Sequence, residues 1–259
     1  MILNRFGNKK SMCKELFNCF PEHKMRIELF FGAGGSYFHT PLPKYSILND
    51  YDDDVTNLYH VVMNNRHEFE YQLTILPITE SLIDYWKCNT EIEPIRKALR
   101  FIFLSNFTFV GKGDTLRLGL DNSKKTILKN IENTFLRLQN AKITNDDFRN
   151  VIGKISFSKK VLPKDKCFVY LDPNYLDRDN NYKLKNWTVK DTEDCFKIMV
   201  NCGIKCALSE FHYEPILDFA SDYKMNVTTL KTRKNIKNRN TEILVTNYEI
   251  QQTKIHFII

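Results

Sequence analysis

One stretch near the middle of the chain carries most of the structural information: Cys167-Phe168-Val169-Tyr170-Leu171-Asp172-Pro173-Asn174-Tyr175. Its first half is apolar and rich in β-formers, which is typical of a buried strand. Pro173 has no N–H and a fixed φ, so strand pairing should end there. In open α/β sheets, ligands bind beyond the carboxyl ends of the strands. We therefore expect a central strand that delivers Asp172, Pro173 and Tyr175 to such an edge.

The residues of this turn suit a flat ring that carries an amino group. The Asp172 carboxylate and the Pro173 carbonyl both accept hydrogen bonds, and together they can hold both hydrogens of an exocyclic amine. Tyr175 can stack on the ring. The plainer alternative is an Asp-Pro turn with a packing tyrosine, and the turn alone favours it because short motifs often match by chance.

Length and composition predict a globular protein with a moderately basic surface. A chain of 259 residues is long enough for a full α/β core with an inserted subdomain. The net charge of +7 suits a polyanionic partner. There is neither a signal-peptide plan nor a long apolar run, so we expect a cytoplasmic protein. Its cysteines are scattered without CxxC pairs, so we expect no metal.

Two further strand ends precede the central stretch. The run from 26 to 31 leads into Gly32-Ala33-Gly34-Gly35, a turn that lets a ligand approach the backbone. Glu28 in that run needs a partner if buried, such as a ligand ammonium. The next strand ends at Asp50, which either accepts hydrogen bonds from ribose hydroxyls or caps the following helix. Before these strands, Lys9 in a Gly-Asn-Lys turn either meets a carboxylate or is solvated.

The segment 54–140 interrupts the alternation of strands and helices. Its periodicity predicts helices, including one from about 94 to 107 and one from about 123 to 139. The stretch 108–118, with its Gly-Lys-Gly-Asp turn, predicts a β-hairpin. We therefore interpret 54–140 as an inserted, mainly helical subdomain and 1–53 with 141–259 as the core. Its basic residues either contact phosphates or line a solvated helix face.

The ordered set of motifs resembles one family, the Dam-type (D12 class) DNA adenine-N6 methyltransferases, over nearly the whole chain. The motifs are Gly7-Asn8-Lys9, Glu28-Leu29-Phe30-Phe31-Gly32-Ala33-Gly34-Gly35, Asn49-Asp50, Asp147-Phe148, Asp172-Pro173-Asn174-Tyr175, Leu208-Ser209 and Glu242-Ile243-Leu244-Val245-Thr246-Asn247-Tyr248. The resemblance implies a Rossmann-like methyltransferase core that uses S-adenosylmethionine and releases S-adenosylhomocysteine. It also implies double-stranded DNA as a partner, a flipped-out target adenine, and a target-recognition role for the insert.

The resemblance also implies roles for individual residues. The catalytic set would be Asp172, Pro173 and Tyr175. The cofactor set would be Phe6, Lys9, Glu28, Phe30, Gly32, Gly34, Asp50, Asp147, Phe148 and Asp172. The DNA-binding set would be Asn106, Lys112, Arg117, Lys124, Arg233, Lys237 and Arg239. A cognate restriction endonuclease is a further partner that the resemblance allows.

The chain departs from the family pattern in three places. Asn174 replaces the second proline of the DPPY motif, which leaves open a catalytically weak or inactive DNA-binding protein on the same fold. Arg5 stands where the family has an aromatic residue, with Phe6 displaced by one position. The stretch 108–118 lacks the Arg-Val-Asn and Asn-Val-Pro elements of GATC-specific relatives, so the target sequence stays open. A nicotinamide oxidoreductase is a third interpretation, resting only on the glycine turn and Asp50.

Overall fold

The computed structural model describes residues 1–5, 7–119, 123–176, 187–234 and 239–250. The described chain divides into two compact units. The first unit comprises Met1–Lys10, Phe31–Leu42 and Leu48–Asp146, and the second comprises Ser11–Phe30, Pro43–Ile47 and Asp147–Ile259. Within the described residues, no helix has the length and hydropathy needed to cross a membrane.

The strands of the described residues form a seven-stranded sheet with the order β3-β2-β1-β4-β5-β7-β6. Strands β1, β4 and β5 are parallel, whereas β7 runs antiparallel to both β5 and β6. This mixed α/β architecture with a parallel centre confirms the predicted Rossmann-like fold class. The strands are β1 Met25–Glu28, β2 Tyr45–Asn49, β3 Ala141–Thr144, β4 Cys167–Leu171, β5 Lys205–Phe211, β6 Asn226–Lys234 and β7 Arg239–Thr246.

The helices agree with the predicted periodicity in most places. Residues 55–73, whose apolar spacing predicts one long helical region, form two helices that meet at Asn65. Helices α5 and α10 were not predicted. The α-helices are α1 Cys13–Cys19, α2 Gly35–Phe38, α3 Asp53–Asn64, α4 Arg66–Ile75, α5 Glu80–Cys88, α6 Pro94–Asn106, α7 Ser123–Leu138, α8 Phe148–Val151, α9 Val189–Asn201 and α10 Glu214–Asp222. Short 3₁₀ helices span Lys9–Met12, Phe109–Gly111, Ile152–Lys154 and Lys164–Lys166.

The first unit is organised by the apolar faces of α3, α4, α6 and α7. These helices contribute fully buried side chains such as Leu58, Phe69, Phe103 and Ile131 to one hydrophobic core. Burial of this kind contributes about 1.5 to 3 kcal/mol for each large apolar side chain. The helical content predicted for 54–140 is therefore present and packed.

The stretch 108–118 does not form the predicted β-hairpin. In the described part of that stretch, the antiparallel pairing is one bridge, between Thr108 and Leu116. Gly111 and Gly113 both have positive φ, at 69° and 78°, and the Thr108 hydroxyl accepts the Gly113 N–H at 2.8 Å. The chain therefore closes into a compact turn that includes a 3₁₀ helix, and this turn replaces the strand pairing expected there.

The core of the second unit covers both faces of its strands. On one face, Val169 of β4 joins a core with Phe196 of α9, and on the other, Phe168 of β4 joins a core with Leu16 of α1. Every residue of β4 is buried, as predicted for a central strand. Helix α9 is capped at its N-terminus by Thr188, which forms a capping box with Asp191.

We expect the side chain of Asn247 to stabilise the second unit strongly. Its Oδ1 accepts the Cys206 N–H at 2.7 Å, and its Nδ2 donates to the carbonyls of Met199 and Ile204 at 2.7 and 2.9 Å. Asn247→Ala removes the hydrogen bonds that the side-chain amide makes to these backbone groups. We therefore expect a loss of about 2 to 4 kcal/mol in the free energy of unfolding. Urea denaturation measures this loss.

The matched control for that measurement is Asn226→Ala. Asn226 is an exposed asparagine whose Nδ2 donates to the Tyr248 carbonyl at 3.1 Å. We expect this variant to lie within about 0.5 kcal/mol of the wild type. Equal losses for the two variants would contradict a special role for Asn247.

Candidate active site

The turn after β4 brings a carboxylate, a proline and a tyrosine together in the second unit. Pro173 is buried, and Asp172 and Tyr175 are half-buried. The Tyr175 hydroxyl donates to Oε1 of Glu242 at 2.7 Å and lies 3.5 Å from Oδ1 of Asp172. Burial, reinforced by the charges of Asp172 and Glu242, raises the pKa of Tyr175 well above its usual value. The phenol is therefore a hydrogen-bond donor at neutral pH.

Residues of β5 and β7 hold this turn, and sequence reasoning gave them no role. The Glu210 carboxylate accepts the N–H of Leu176 at 3.1 Å and that of Phe211 at 2.8 Å. The Phe211 and Tyr175 rings lie nearly perpendicular, with centroids 4.5 Å apart. Glu210 and Glu242 are each 1% exposed. An acidic residue inside an otherwise apolar strand is the signal that would have found both glutamates.

A cluster of aromatic rings lies elsewhere in the second unit. The Phe30 ring is 4.9 Å from Phe148 and 5.5 Å from Trp187, measured between centroids. The Trp187 and Phe148 rings are 5.7 Å apart, and Trp187 donates its indole N–H to the Thr192 hydroxyl at 2.9 Å. Phe30 and Phe148 were predicted site residues, whereas Trp187 was not. Rings at these spacings can contact a planar heterocycle.

Asp147, predicted next to Phe148, caps helix α8 and pairs with Arg149. Its Oδ1 accepts the Arg149 backbone N–H at 3.0 Å. The Arg149 guanidinium also bonds Asp191 and Asp194 and lies 4.4 Å from the Phe148 ring centroid. Burial lowers the pKa of Arg149, but hydrogen bonds to these three carboxylates outweigh that effect and raise it. Arg149 thus anchors the Asp147–Phe148 pair to α9.

The glycine turn lies in the first unit and has the backbone shape that its composition predicts. Gly32 has a φ of 51°, and a Cβ there would meet nothing within 4 Å. Gly34 has a φ of 66°, and a Cβ there would come within 2.7 Å of the Phe31 ring. Gly35 leaves room for Asn8, since a Cβ would lie 2.0 Å from the Asn8 side-chain oxygen. The open space lies in front of Gly32.

Asp50 is bound to this glycine turn. Its Oδ2 accepts the Gly32 N–H at 2.6 Å, and its Oδ1 accepts the Asp52 N–H at 2.9 Å. The N-cap of α3 is Asp52, which accepts the Asp54 N–H, so Asp50 is not the cap that the sequence left open. Burial raises the pKa of Asp50 to about 6, although the backbone hydrogen bonds oppose the shift.

The other predicted cofactor residues occupy varied surroundings. Lys9 is 4% exposed at the start of the first 3₁₀ helix. Glu28 is buried on β1, and Arg26 of the same strand lies 3.7 Å from it, so a protein cation is present where a ligand ammonium was considered. Phe6 lies outside the described residues, and Arg5 beside it pairs with Asp52 at 2.9 Å.

The predicted DNA-binding residues differ in exposure. Lys112 and Arg117 are exposed, and Lys124 donates to the Leu76 carbonyl at 2.8 Å. Asn106 is buried: its amide donates to the Ile2 and Ile102 carbonyls and accepts the Asn4 N–H. Arg233 lies on β6 and Arg239 on β7, and Lys237 is outside the described residues. Asn106 therefore has a structural role in the first unit.

The sequence predicts no metal, and this remains a prediction. Across the ranges that the structure describes, no group of three or more His, Cys, Asp or Glu side chains is arranged to hold an ion. The described cysteines are free thiols.

Several known proteins are similar to this chain. The chain is 21% identical to the Type II methyltransferase M1.LlaDCHI of Lactococcus lactis subsp. cremoris, over 93% of each protein. It is 31% identical to a DNA adenine methylase of Serratia marcescens, over 40% of this chain and 41% of that one. Among solved structures, SMU.1697c of Streptococcus mutans in complex with SAH covers 92% of this chain and 97% of its own, with 8% identity and a TM-score of 0.42.

The family assignment rests on a match to a sequence profile. The profile of the D12 class N6 adenine-specific DNA methyltransferases matches residues 6–236, a span that contains both the glycine turn and the turn after β4. This match favours the enzyme over an inactive DNA-binding protein or a nicotinamide oxidoreductase. The chain therefore belongs to the D12 class N6 adenine-specific DNA methyltransferases, and its activity is the methylation of adenine at N6 in DNA.

Proposed function

We propose that the chain transfers the methyl group of S-adenosylmethionine to N6 of an adenine flipped out of duplex DNA. The observation that carries this proposal is the turn after β4, where Asp172 and Pro173 follow a fully buried strand and Tyr175 lies close by. A base inside a duplex cannot reach such a turn, so it must be extruded. The product of the donor is S-adenosylhomocysteine.

Two groups of residues, each within one unit, support the binding of a nucleoside with a charged amino-acid tail. Asp50 offers a buried carboxylate to ribose hydroxyls, and the open space at Gly32 admits a ligand close to the backbone. The aromatic cluster of Phe30, Phe148 and Trp187 offers ring faces and edges to an adenine. When bound, the sulfonium supplies an activated methyl group.

We assign the remaining cofactor roles by the family pattern. Lys9 would meet the carboxylate of the methionine portion, and Asp147 with Phe148 would contact the adenine. The residues proposed to line the methionine portion are Phe6, Glu28, Phe30, Gly32, Gly34 and Asp172.

The turn after β4 acts on the nucleophile. The adenine N6 lone pair is delocalised into the ring, which makes this nitrogen a weak nucleophile. Hydrogen bonds to the Asp172 carboxylate and the Pro173 carbonyl orient the amino group and stabilise positive charge as it develops on N6. N6 would gain the methyl carbon as the bond between that carbon and the sulfonium sulfur breaks, and it would release one hydrogen as a proton. Stacking on Tyr175 offsets part of the cost of extruding the base.

We propose the segment 54–140 as the target-recognition subdomain. Its exposed cations Lys112 and Arg117, with Lys124, are assigned to DNA phosphates, as are Arg233, Lys237 and Arg239 of the second unit. Asn106 is left out of this set because it is buried. The Type II name of the Lactococcus relative supports a restriction–modification setting with a cognate endonuclease. A DNA substrate supports a location in the cytoplasm.

The first prediction on function concerns Asp172. We expect Asp172→Ala to lower the rate of N6-methyladenine formation roughly 100- to 1,000-fold, because one preorganised acceptor at the reacting nitrogen is lost. Mass spectrometry of nucleosides from the methylated DNA measures the rate. The control is Asp218→Ala, which removes an exposed carboxylate from α10 and should leave the rate unchanged. Undiminished methylation by Asp172→Ala would contradict the proposal.

The second prediction concerns the pH dependence of cofactor binding. With a pKa of about 6, Asp50 is ionised above that pH and protonated below it. Ribose hydroxyls donate better to the ionised form, so the affinity for S-adenosylmethionine should fall about tenfold between pH 7 and pH 5. Calorimetric titration across this range measures the change. Asp50→Asn should bind S-adenosylmethionine more weakly at pH 7 and should lose this pH dependence. If the variant keeps the same pH dependence, a group other than Asp50 causes it.

The third prediction concerns DNA binding by the 54–140 segment. We expect Lys112→Ala and Arg117→Ala each to weaken binding to every duplex sequence to a similar extent. Each should reduce the slope of log affinity against log salt by about 1, because one phosphate contact is lost. Fluorescence anisotropy at several salt concentrations measures both. The control is Lys142→Ala, an exposed lysine on β3; an equal change in its slope would indicate a general effect of charge.

A further inference from the structure

We propose that Glu242 is a positioning residue: it holds the Tyr175 hydroxyl and so fixes the direction of the ring on which the target adenine stacks. The inference deepens the proposed role of Tyr175 and rests on it. Glu242 lies beyond residue 236, where the match to the family profile ends, and it is the first residue of the last motif that resembles the family. The tertiary structure, through the pairing of β5 with β7, brings it to the turn after β4.

The placement of Glu242 is unusual for an acidic residue. It is 1% exposed and lies on β7 opposite Phe211 of β5. Burial of a carboxylate is costly unless hydrogen bonds compensate for the lost water. Its Oε1 accepts the Tyr175 hydroxyl at 2.7 Å, the length of a good charge-assisted bond. The buried charge is thus directed at the tyrosine of the turn.

Two contacts together restrict the Tyr175 ring. Glu242 holds the hydroxyl end, and Phe211 packs nearly perpendicular to the ring at a centroid distance of 4.5 Å. Glu242 thus fixes the direction of the ring axis, and Phe211 limits rotation of the ring about that axis. The raised pKa keeps the phenol protonated through the neutral range, so its O–H remains available as a donor.

The need for such a restraint follows from Asn174. A proline at this position would fix its own φ, whereas asparagine does not. A second buried glutamate, Glu210, restrains the backbone just beyond, since its carboxylate accepts the Leu176 N–H at 3.1 Å. Contacts on the turn from β5 and β7 therefore supply order that a second proline would otherwise contribute.

The experiment is a double-mutant cycle on Tyr175→Phe and Glu242→Leu. Each variant removes one partner of the bond and keeps an apolar side chain of similar size. We expect each single variant to lower kcat roughly tenfold, since a hydrogen bond to a charged group is lost. We also expect a smaller fluorescence increase from 2-aminopurine at the target position, with cofactor affinity unchanged. The double variant should be no slower than the slower single variant, because both remove the same bond.

Rescue and control variants separate positioning from general damage. Glu242→Gln keeps an acceptor oxygen, and it should recover most of the rate and the 2-aminopurine signal. If Glu242→Leu fails to fold, Tyr175→Phe, which removes the same bond from its other side, carries the test. The control cycle uses Tyr223→Phe and Glu193→Leu, because the Tyr223 hydroxyl donates to Glu193 at 3.2 Å in the same unit. These variants should leave the rate and the 2-aminopurine signal unchanged.

The outcomes distinguish this inference from the role assigned to Tyr175. If Tyr175→Ala methylates as fast as the wild type, the stacking role itself is wrong. If Tyr175→Ala is slow while Tyr175→Phe and Glu242→Leu are as fast as the wild type, stacking stands and positioning by Glu242 is overturned. Additive losses in the double variant would likewise overturn it, because Glu242 would then act through another group.

Discussion

A buried parallel strand has to form backbone hydrogen bonds with a neighbouring strand on each side. The candidate active site depends on the position at which β4 stops forming them. The strand pairs with β1 and β5 along its length and is buried at every residue. Pro173 contributes no N–H, so the ladder cannot continue through it. The chain therefore leaves the sheet with Asp172 and the Pro173 carbonyl at its rim. Most of the proposed chemistry follows from this one interruption.

Buried carboxylates are the second recurring feature, and each one shown here is held by donors of the protein itself. Asp50 accepts backbone N–H groups of the glycine turn in the first unit. In the second unit, Glu210 accepts backbone N–H groups and Glu242 accepts a tyrosine hydroxyl. Such groups are costly to bury and therefore rigidify the segments that they bind. These segments are the ones to which we assign the ribose and the target base.

Several parts of the molecule were predictable because their causes are local. Thr188 followed by Asp191 predicts a capped helix, and the spacing of Ile127 and Ile131 predicts an amphipathic one. The conformation of the 108–118 turn was harder to predict. Whether a glycine-rich loop pairs as two strands depends on hydrogen bonds such as the one that the Gly113 N–H donates to the Thr108 hydroxyl. The burial of Asn106 was also hard to predict. Its side-chain amide forms hydrogen bonds with residues about 100 positions earlier in the chain, so the neighbouring sequence does not indicate that it is buried.

The amino-acid sequence alone determined the α/β class, the turn after β4, the glycine turn with Asp50, and the family. These properties reside in short runs whose residue types restrict the backbone and define the chemistry directly. Only the tertiary structure decided which side chains support those runs: Glu242 for Tyr175, Glu210 for Leu176, and Arg149 with its carboxylates for Phe148. Such partners are separated by up to 67 residues, and sheet register and helix packing bring them together.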